Sequence, residues 1–324
     1  MNLIDFLKKN KTEENISKAL VAIAEAIKEI SLLLDQAPLI KSQDEIKKLN
    51  IHREIQTKAD ILSNEIFLKK LSSASAVIGA VSEEENKEII FKKKRTKNQV
   101  IVFFDPLDGS SNLKSNISIG SIFSLFKLNH SNNVKQRDFL QKGSNQKASG
   151  YSVYGPSTLL IITIGNGVFK FCLDKKQGIF ECIEQNILIP KSTNEFSINM
   201  SNEKFWKKPI RRYIKDCLAG VEGPRKKDFN MRWVGSMVAD INRILTQGGI
   251  YLYPTDNKVQ KKDGPLRSMY EINPMALIIE NAGGLSFNEL QGILDTPVVN
   301  IHQRNSAIMG SKDEVLTLKK YFNY

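Results

Sequence analysis

The 324-residue chain has little of the residue types that announce redox or zinc chemistry. It holds three cysteines, Cys172, Cys182 and Cys217, and three histidines, His52, His130 and His302. The cysteines form no CxxC pair and no even set, so no disulfide framework is expected and a reduced, cytoplasmic setting is the default. The histidines are scattered, which leaves a His-based metal site or triad unsupported. No GxSxG element is present, so serine-nucleophile chemistry is unsupported too. Long hydrophobic runs are also missing. The longest apolar-looking stretch, residues 16–34, carries Lys18, Glu25, Lys28 and Glu29, whereas a bilayer span needs ~18–20 apolar residues. No membrane partner is expected. The opening Met1-Asn2-Leu3-Ile4-Asp5 lacks a basic end followed by an apolar core, so no secretory signal is expected either.

Acidic charge is in deficit: 35 Asp and Glu against 47 Lys and Arg give a net +12. Such a balance favours anionic partners, nucleic acid or a phosphorylated metabolite. The basic residues lie apart, in Lys92-Lys93-Lys94-Arg95-Lys97, in Lys207-Lys208 with Arg211-Arg212, and in Arg225-Lys226-Lys227. They are not interleaved with aromatics as a single-strand groove would be. We therefore read them as solvated loops and helix faces and expect no nucleic-acid partner.

At this length the chain is one large domain or two smaller ones. Ile16, Leu20, Ile23, Ile27, Ile30 and Leu34 alternate steps of four and three, the spacing of an amphipathic helix. Residues 35–56 show no strong period and read as a mobile loop. Residues 60–71 resume helical spacing. Val77–Val81 predicts a strand ending at Ser82-Glu83-Glu84-Glu85. Residues 88–92 and 100–104 predict a hairpin joined by the basic turn, and residues 117–128 continue the sheet. Residues 131–149 are polar and read as mobile. Gly165-Asn166-Gly167 predicts a hairpin between residues 159–164 and 168–173. Helices are expected over 238–245 and 274–281, the latter stopped by Gly283-Gly284. A soft boundary near Pro190 divides an N-terminal α/β half, 1–190, from a C-terminal α/β half, 191–324.

The most informative segment is Asp105-Pro106-Leu107-Asp108-Gly109-Ser110-Ser111-Asn112. It follows Val100-Ile101-Val102-Phe103-Phe104, an apolar run too short for a helix and suited to a buried strand. Pro106 has no N–H to donate and is expected to stop the ladder. Two carboxylates are thereby delivered to the mouth of a sheet. Gly109-Ser110-Ser111 then offers N–H groups and hydroxyls suited to a phosphate. Taken alone, the same residues make a routine helix cap. If Glu83 lies on the same sheet edge, the crowded negative charge needs protons or cations to neutralise it. Oxygen-only ligands favour Mg²⁺, with Mn²⁺ the alternative.

That octapeptide matches the Asp-Pro-Leu-Asp-Gly-Ser-Ser-Asn signature of class I fructose-1,6-bisphosphatases. Residues 81–84, 58–64, 196–202, 230–240 and 266–276 resemble further motifs of that family, in order and along the whole chain. The contexts of Asn199 and Trp233 look most like bacterial members. The resemblance implies a layered α/β/α/β/α sandwich of the sugar-phosphatase type and a homotetramer or homodimer. By position it implies that Glu83, Asp105, Asp108, Glu271 and the Leu107 carbonyl hold catalytic Mg²⁺. Glu84 and Asp60 would activate water, and Glu54 stands where the family has an acidic residue on a mobile loop. Asp108, Gly109, Ser110 and Ser111 would meet the departing phosphate. Asn199, Tyr253 and Arg267 would line the sugar site, and Arg232 would reach the far phosphate of a neighbouring subunit's substrate.

Two positions depart from the pattern. Pro265 stands where many members have a Lys, with Lys261 or Lys262 as the nearest substitutes, and Trp233 stands where animal enzymes have a Tyr. Both touch the far-phosphate site rather than the metal centre. The resemblance thus implies Mg²⁺-dependent hydrolysis of the 1-phosphate of fructose 1,6-bisphosphate, a gluconeogenic step. The alternatives are a sedoheptulose-1,7-bisphosphatase or dual enzyme and, more remotely, a non-catalytic polyanion-binding protein.

Overall fold

The computed structural model describes residues 1–39, 45–49, 55–91, 98–128, 134–257 and 264–322, with 45–49 and 55 described by backbone alone. Glu54, His52, His130, Lys261, Lys262 and the basic run 92–97 lie outside the described residues.

The N-terminal part begins with α1 (Leu3–Lys9) and α2 (Glu14–Asp35), followed by a short antiparallel pair, β1 (Glu45–Leu49) with β2 (Ile55–Thr57). Part of the stretch expected as a loop is therefore paired backbone. Next come α3 (Lys58–Ser73), β3 (Val77–Ser82), β4 (Ile89–Ile90), β5 (Val100–Asp108), β6 (Gly120–Lys127), β7 (Gln146–Tyr154), β8 (Thr158–Thr163), β9 (Phe169–Asp174) and β10 (Ile179–Glu184). They form an eight-stranded sheet in the order β10-β9-β8-β7-β6-β5-β3-β4.

The remaining elements are β11 (Glu195–Ser197), α4 (Lys208–Leu218), β12 (Asn230–Met231), α5 (Met237–Gln247), β13 (Ile250–Tyr253), β14 (Leu266–Arg267), α6 (Asn273–Asn281), β15 (Leu285–Phe287), β16 (Arg304–Asn305), β17 (Ala307–Gly310) and α7 (Lys312–Phe322). A second sheet runs β12-β11-β13-β17-β15.

Three apolar clusters stack these elements into five layers. The buried face of α2 (Ile16, Leu20, Ile23, Ile27, Ile30) packs with α1 and α3 on one face of the first sheet, against Val100, Val102 and Phe104. Each fully buried Ile or Leu contributes roughly 1.5–3 kcal/mol. The opposite face, through Ile122, Tyr151, Val153 and Ile161, meets α5 and α6, which also cover Tyr251 and Met309 of the second sheet. On the far side of that sheet α4 and α7 bury Tyr213, Ile214, Val315 and Leu318. The result is the α/β/α/β/α sandwich that the resemblance implies.

β5 is central and buried along its whole length. Its side chains alternate between layers, Val100, Val102 and Phe104 to one and Ile101 and Phe103 to the other, as a period of two requires. Three expectations fail here. β4 pairs antiparallel with β3, not with β5, and β3 and β5 are parallel neighbours. Pro106 does not end β5. The register against β6 shifts between Asp105 and Asp108, and pairing resumes at Asp108 opposite Gly120. The extra residue is absorbed as a bulge, and the Pro106 carbonyl accepts the Ser121 hydroxyl at 2.7 Å. Finally, residues 134–149 are built in rather than loose: Phe139 is fully buried, its ring centroid 6.2 Å from that of Phe103, and β7 starts at Gln146.

Candidate active site

Two parallel neighbouring strands bring their C-terminal ends to the same sheet edge, the usual place for ligands in α/β folds. β3 delivers Glu83, whose N–H donates to the Phe104 carbonyl at 3.1 Å, and β5 delivers Asp105. The third carboxylate comes from distant sequence. A five-residue π-helix, Ser268–Ile272, leads into α6 and buries Glu271. One oxygen each from Glu83, Asp105 and Glu271 lie within 4.8 Å of one another, and all three residues are buried.

Burial makes this arrangement unfavourable unless charge is compensated. Part of the compensation is Arg267, itself buried. Its guanidinium lies 3.2 Å from Glu83 and 3.8 Å from Glu271, and the Arg267 backbone N–H donates to the Glu271 carboxylate. Asp105 is pushed well above the usual carboxylate range, chiefly by burial and then by the negative charges of Glu83, Asp108 and Glu271. Burial also raises Asp108, to about 7, although the Val238 N–H (3.1 Å) and the Ser236 hydroxyl (3.4 Å) favour its charged form. Three convergent, buried, all-oxygen donors, with Asp105 raised in proton affinity, fit a hard divalent cation, which would take the place of a proton.

The carboxylates open into a cavity of about 530 Å³, a size suited to a small ligand. Its lining includes Asp60, Glu84, Leu107, Asp108, Gly109, Ser110 and Ser111 as well as the three clustered acids and Arg267. The structure thus gathers most of the sequence-predicted residues around one space. Gly109 sits at φ +75°, and a Cβ there would meet Ser236 at 2.8 Å, so this turn requires glycine. Ser110 opens a short 3-10 helix, Ser110–Ser115. Asp60 caps α3, where its carboxylate accepts the Thr57 N–H at 2.6 Å and the Thr57 hydroxyl at 2.8 Å. The Gln56 side-chain amide donates to Glu84.

Asn199, Tyr253 and Arg232 are not in that lining. Asn199 and Tyr253 edge a smaller hollow with Asn202, Trp206, Trp233 and Asp256. Arg232 edges another, beside Glu195, Asp240 and Arg243. Asp240 organises the intervening turn. It accepts from Val234 N–H at 3.1 Å, Gly235 N–H at 3.1 Å and the Ser197 hydroxyl at 3.0 Å. The same turn carries Ser236 to Asp108.

Sequence reasoning missed four lining or supporting residues. Thr57 was legible as the first residue of a capping box with Asp60. Lys114, one of two cations among the described lining residues, follows the octapeptide by two positions. Gln56 and Ser236 carry no local signal. A larger hollow of about 710 Å³ lies among α1, α2 and the end of α3. Its exposed lining is mainly apolar, and there Lys18 pairs with Glu14 and Lys70 with Glu29.

Comparison with known proteins bears on the family and the fold. The family model described as Fructose-1-6-bisphosphatase, N-terminal domain, matches residues 3–185, and that described as Fructose-1-6-bisphosphatase, C-terminal domain, matches residues 189–323. The chain is similar to Leishmania major fructose-1,6-bisphosphatase in holo form at 32% identity, covering 100% of this chain and 99% of that one, with a TM-score of 0.94. The apo form of that protein matches at 31% identity with the same coverage and a TM-score of 0.88.

Proposed function

The chain belongs to the fructose-1,6-bisphosphatase family of phosphoric monoester hydrolases, and we propose that it uses Mg²⁺ to cleave the 1-phosphate of fructose 1,6-bisphosphate. The observation that carries this reading is the convergence of Glu83, Asp105 and Glu271 from three separate stretches of sequence. Asp108 and the Leu107 carbonyl complete the proposed ligand set. An ion held by these ligands would supply positive charge to offset the negative charge of the phosphoryl oxygens and the leaving alkoxide.

The chain's own groups do the rest. Glu84, held by Gln56, and Asp60, fixed at the head of α3, orient the attacking water and accept its proton. The water oxygen bonds to phosphorus as the bond from phosphorus to the sugar O1 breaks, and the alkoxide takes up a proton. Gly109, Ser110 and Ser111 donate to the departing phosphate. Arg267 pairs with Glu83 and Glu271, which supports a place beside the reacting phosphate and the near end of the sugar. Asn199 and Tyr253 hold the sugar's far end, and Arg232 reaches the far phosphate bound by a neighbouring subunit of a homotetramer or homodimer.

We further propose a bacterial-type class I enzyme, divided near Pro190, acting in the cytoplasm in gluconeogenesis. Among the described residues no helix is long and apolar enough to cross a membrane. The test is phosphate release from a panel of sugar bisphosphates with and without Mg²⁺. Fructose 1,6-bisphosphate should be turned over only with the metal, and with a higher kcat/KM than sedoheptulose 1,7-bisphosphate. Absence of metal-dependent release from every member would overturn the reading.

A further inference from the structure

Six described residues other than glycine adopt φ between +52° and +71°. Three are Asn, which tolerates this region, and Lys11 and Lys226 are exposed. The sixth, Glu289, is the buried one, and it has the largest φ of the set, +71°. A conformation that L side chains adopt at a cost persists where surrounding contacts over-determine it. Here they do. The Asn288 side chain accepts from the N–H groups of Leu290 and Gln291, and the Asn288 carbonyl accepts the Ser306 hydroxyl.

The strained turn aims the Glu289 carboxylate at two separate segments. One oxygen accepts the Thr255 N–H at 2.5 Å. The other accepts the Thr255 hydroxyl at 2.9 Å and pairs with Lys207 at 2.9 Å. Thr255 lies two residues after Tyr253, and Lys207 directly follows Trp206. These segments also touch through the Trp206–Asp256 bridge and the Asn257 N–H to Phe205 carbonyl bond. Trp206, Tyr253 and Asp256 are walls of the small hollow that also holds Asn199 and Trp233. One buried carboxylate thus clamps both walls from behind.

We infer that Glu289 is a positioning residue for the far end of the substrate: it fixes the Trp206 and Tyr253 walls against which the sugar 6-phosphate end is bound. This rests on the function proposed above. Its consequence is a separation of effects, because Glu289 is not among the residues lining the carboxylate cavity.

Trp206 and Trp233 are the only tryptophans of the chain, and both line this hollow. Intrinsic fluorescence therefore reports on it directly. The probe is fructose 6-phosphate, titrated into the full-length wild type, Glu289→Gly and Glu289→Gln. Glu289→Gly removes the clamp while relieving the backbone, which recovers part of the stability lost with the three Glu289 contacts. Its Kd for the probe and its KM for fructose 1,6-bisphosphate should rise about tenfold, with kcat within about twofold, the signature of lost binding made equally in ground and transition states. Glutamine keeps one acceptor oxygen and loses the charge facing Lys207, and should give intermediate values. Unchanged Kd and KM in both variants, with wild type binding and turning over normally, would overturn the inference alone. A wild type that neither responds to fructose 6-phosphate nor hydrolyses the bisphosphate would overturn the functional reading on which it rests.

Discussion

Asp105→Asn should make the metal-free protein more stable and the enzyme inactive. The substitution keeps the side chain's shape and the oxygen that accepts the Leu107 N–H at 3.0 Å. It removes one negative charge from a buried group of three. Two unit charges at the 4.8 Å limit of this cluster repel by about 3 kcal/mol at an effective dielectric near 20. Arg267 already offsets part of that repulsion through Glu83 and Glu271. A net gain of about 1–3 kcal/mol in the absence of metal is therefore expected. At roughly 2–4 °C per kcal/mol, Tm should rise by several degrees.

The gain should depend on pH in a definite sense. Asp105 has a folded-state proton affinity raised above its unfolded value. Such a group contributes stability that is fully present below the unfolded pKa and is lost as pH rises through the folded one. Below the range in which wild-type Asp105 gives up its proton the two proteins should converge, so they should melt closer together at pH 5 than at pH 8. At pH 8 in EDTA the Asn variant should melt higher. Saturating Mg²⁺ should then raise the wild-type Tm well above that of the variant, because a ligand specific for the folded state stabilises by mass action. Turnover in the variant should fall by about 10³-fold or more, several kcal/mol of charge stabilisation. Scanning calorimetry at the two pH values and a phosphate-release assay test all of this. An Asn variant that melts lower than wild type at pH 8 in EDTA, or that keeps wild-type turnover, would refute the electrostatic argument.

Wild-type protein in EDTA should itself lose stability as pH rises from about 4 through about 7, the span over which Asp108 loses its proton in the unfolded and then the folded state; Mg²⁺ should flatten that dependence, as chemical denaturation at each pH will show. Arg267→Met removes the cation between two buried carboxylates and should cost about 3–5 kcal/mol in EDTA at pH 8. Added Mg²⁺ should restore part of that loss; a variant as stable as wild type without metal would contradict the pairing. Gly109→Ala forces a Cβ to 2.8 Å from Ser236 at φ +75°, so kcat should fall by at least about tenfold and stability by roughly 1–2 kcal/mol; wild-type kinetics in this variant would show that the turn relaxes freely.

What the sequence made legible follows the range of the forces involved. The periodicity of Ile16 to Leu34 gave α2 because burial of one helix face repeats locally. Gly165 and Gly167, both at positive φ, marked the turn between β8 and β9 because turn geometry is local too. Pairing partners are not local. Nothing in residues 88–92 says that they lie beside β3 rather than β5, and the polar composition of 131–149 hid Phe139, whose burial against Phe103 is a tertiary fact. At the site, the octapeptide supplied Asp105, Asp108 and Gly109 in one reading. Glu83 was legible only as an acid at a second strand end, conditional on a shared sheet edge, and Glu271 needed the family resemblance, since no spacing rule links it to Asp105. Gln56 and Ser236 were invisible because each acts only through a neighbour from distant sequence.

The same distribution of residues explains why metal and fold are coupled here. The acids do not belong to one loop that could simply open to relieve repulsion. Glu83 directly follows β3 and Asp105 sits within β5, while Glu271 is fixed by the π-helix that leads into α6, and Asp108 is tied to α5 through Val238. Separating the charges would therefore pull the middle helical layer from the first sheet. That layer is held by buried Ile122, Tyr151, Val153 and Ile161 against α5 and α6. At roughly 1.5–3 kcal/mol for each buried aliphatic residue, these contacts outweigh a residual repulsion of about 3 kcal/mol. The apolar layer thus keeps the carboxylates together before any cation arrives, and the electrostatic strain that packing imposes is what would draw a cation to the site.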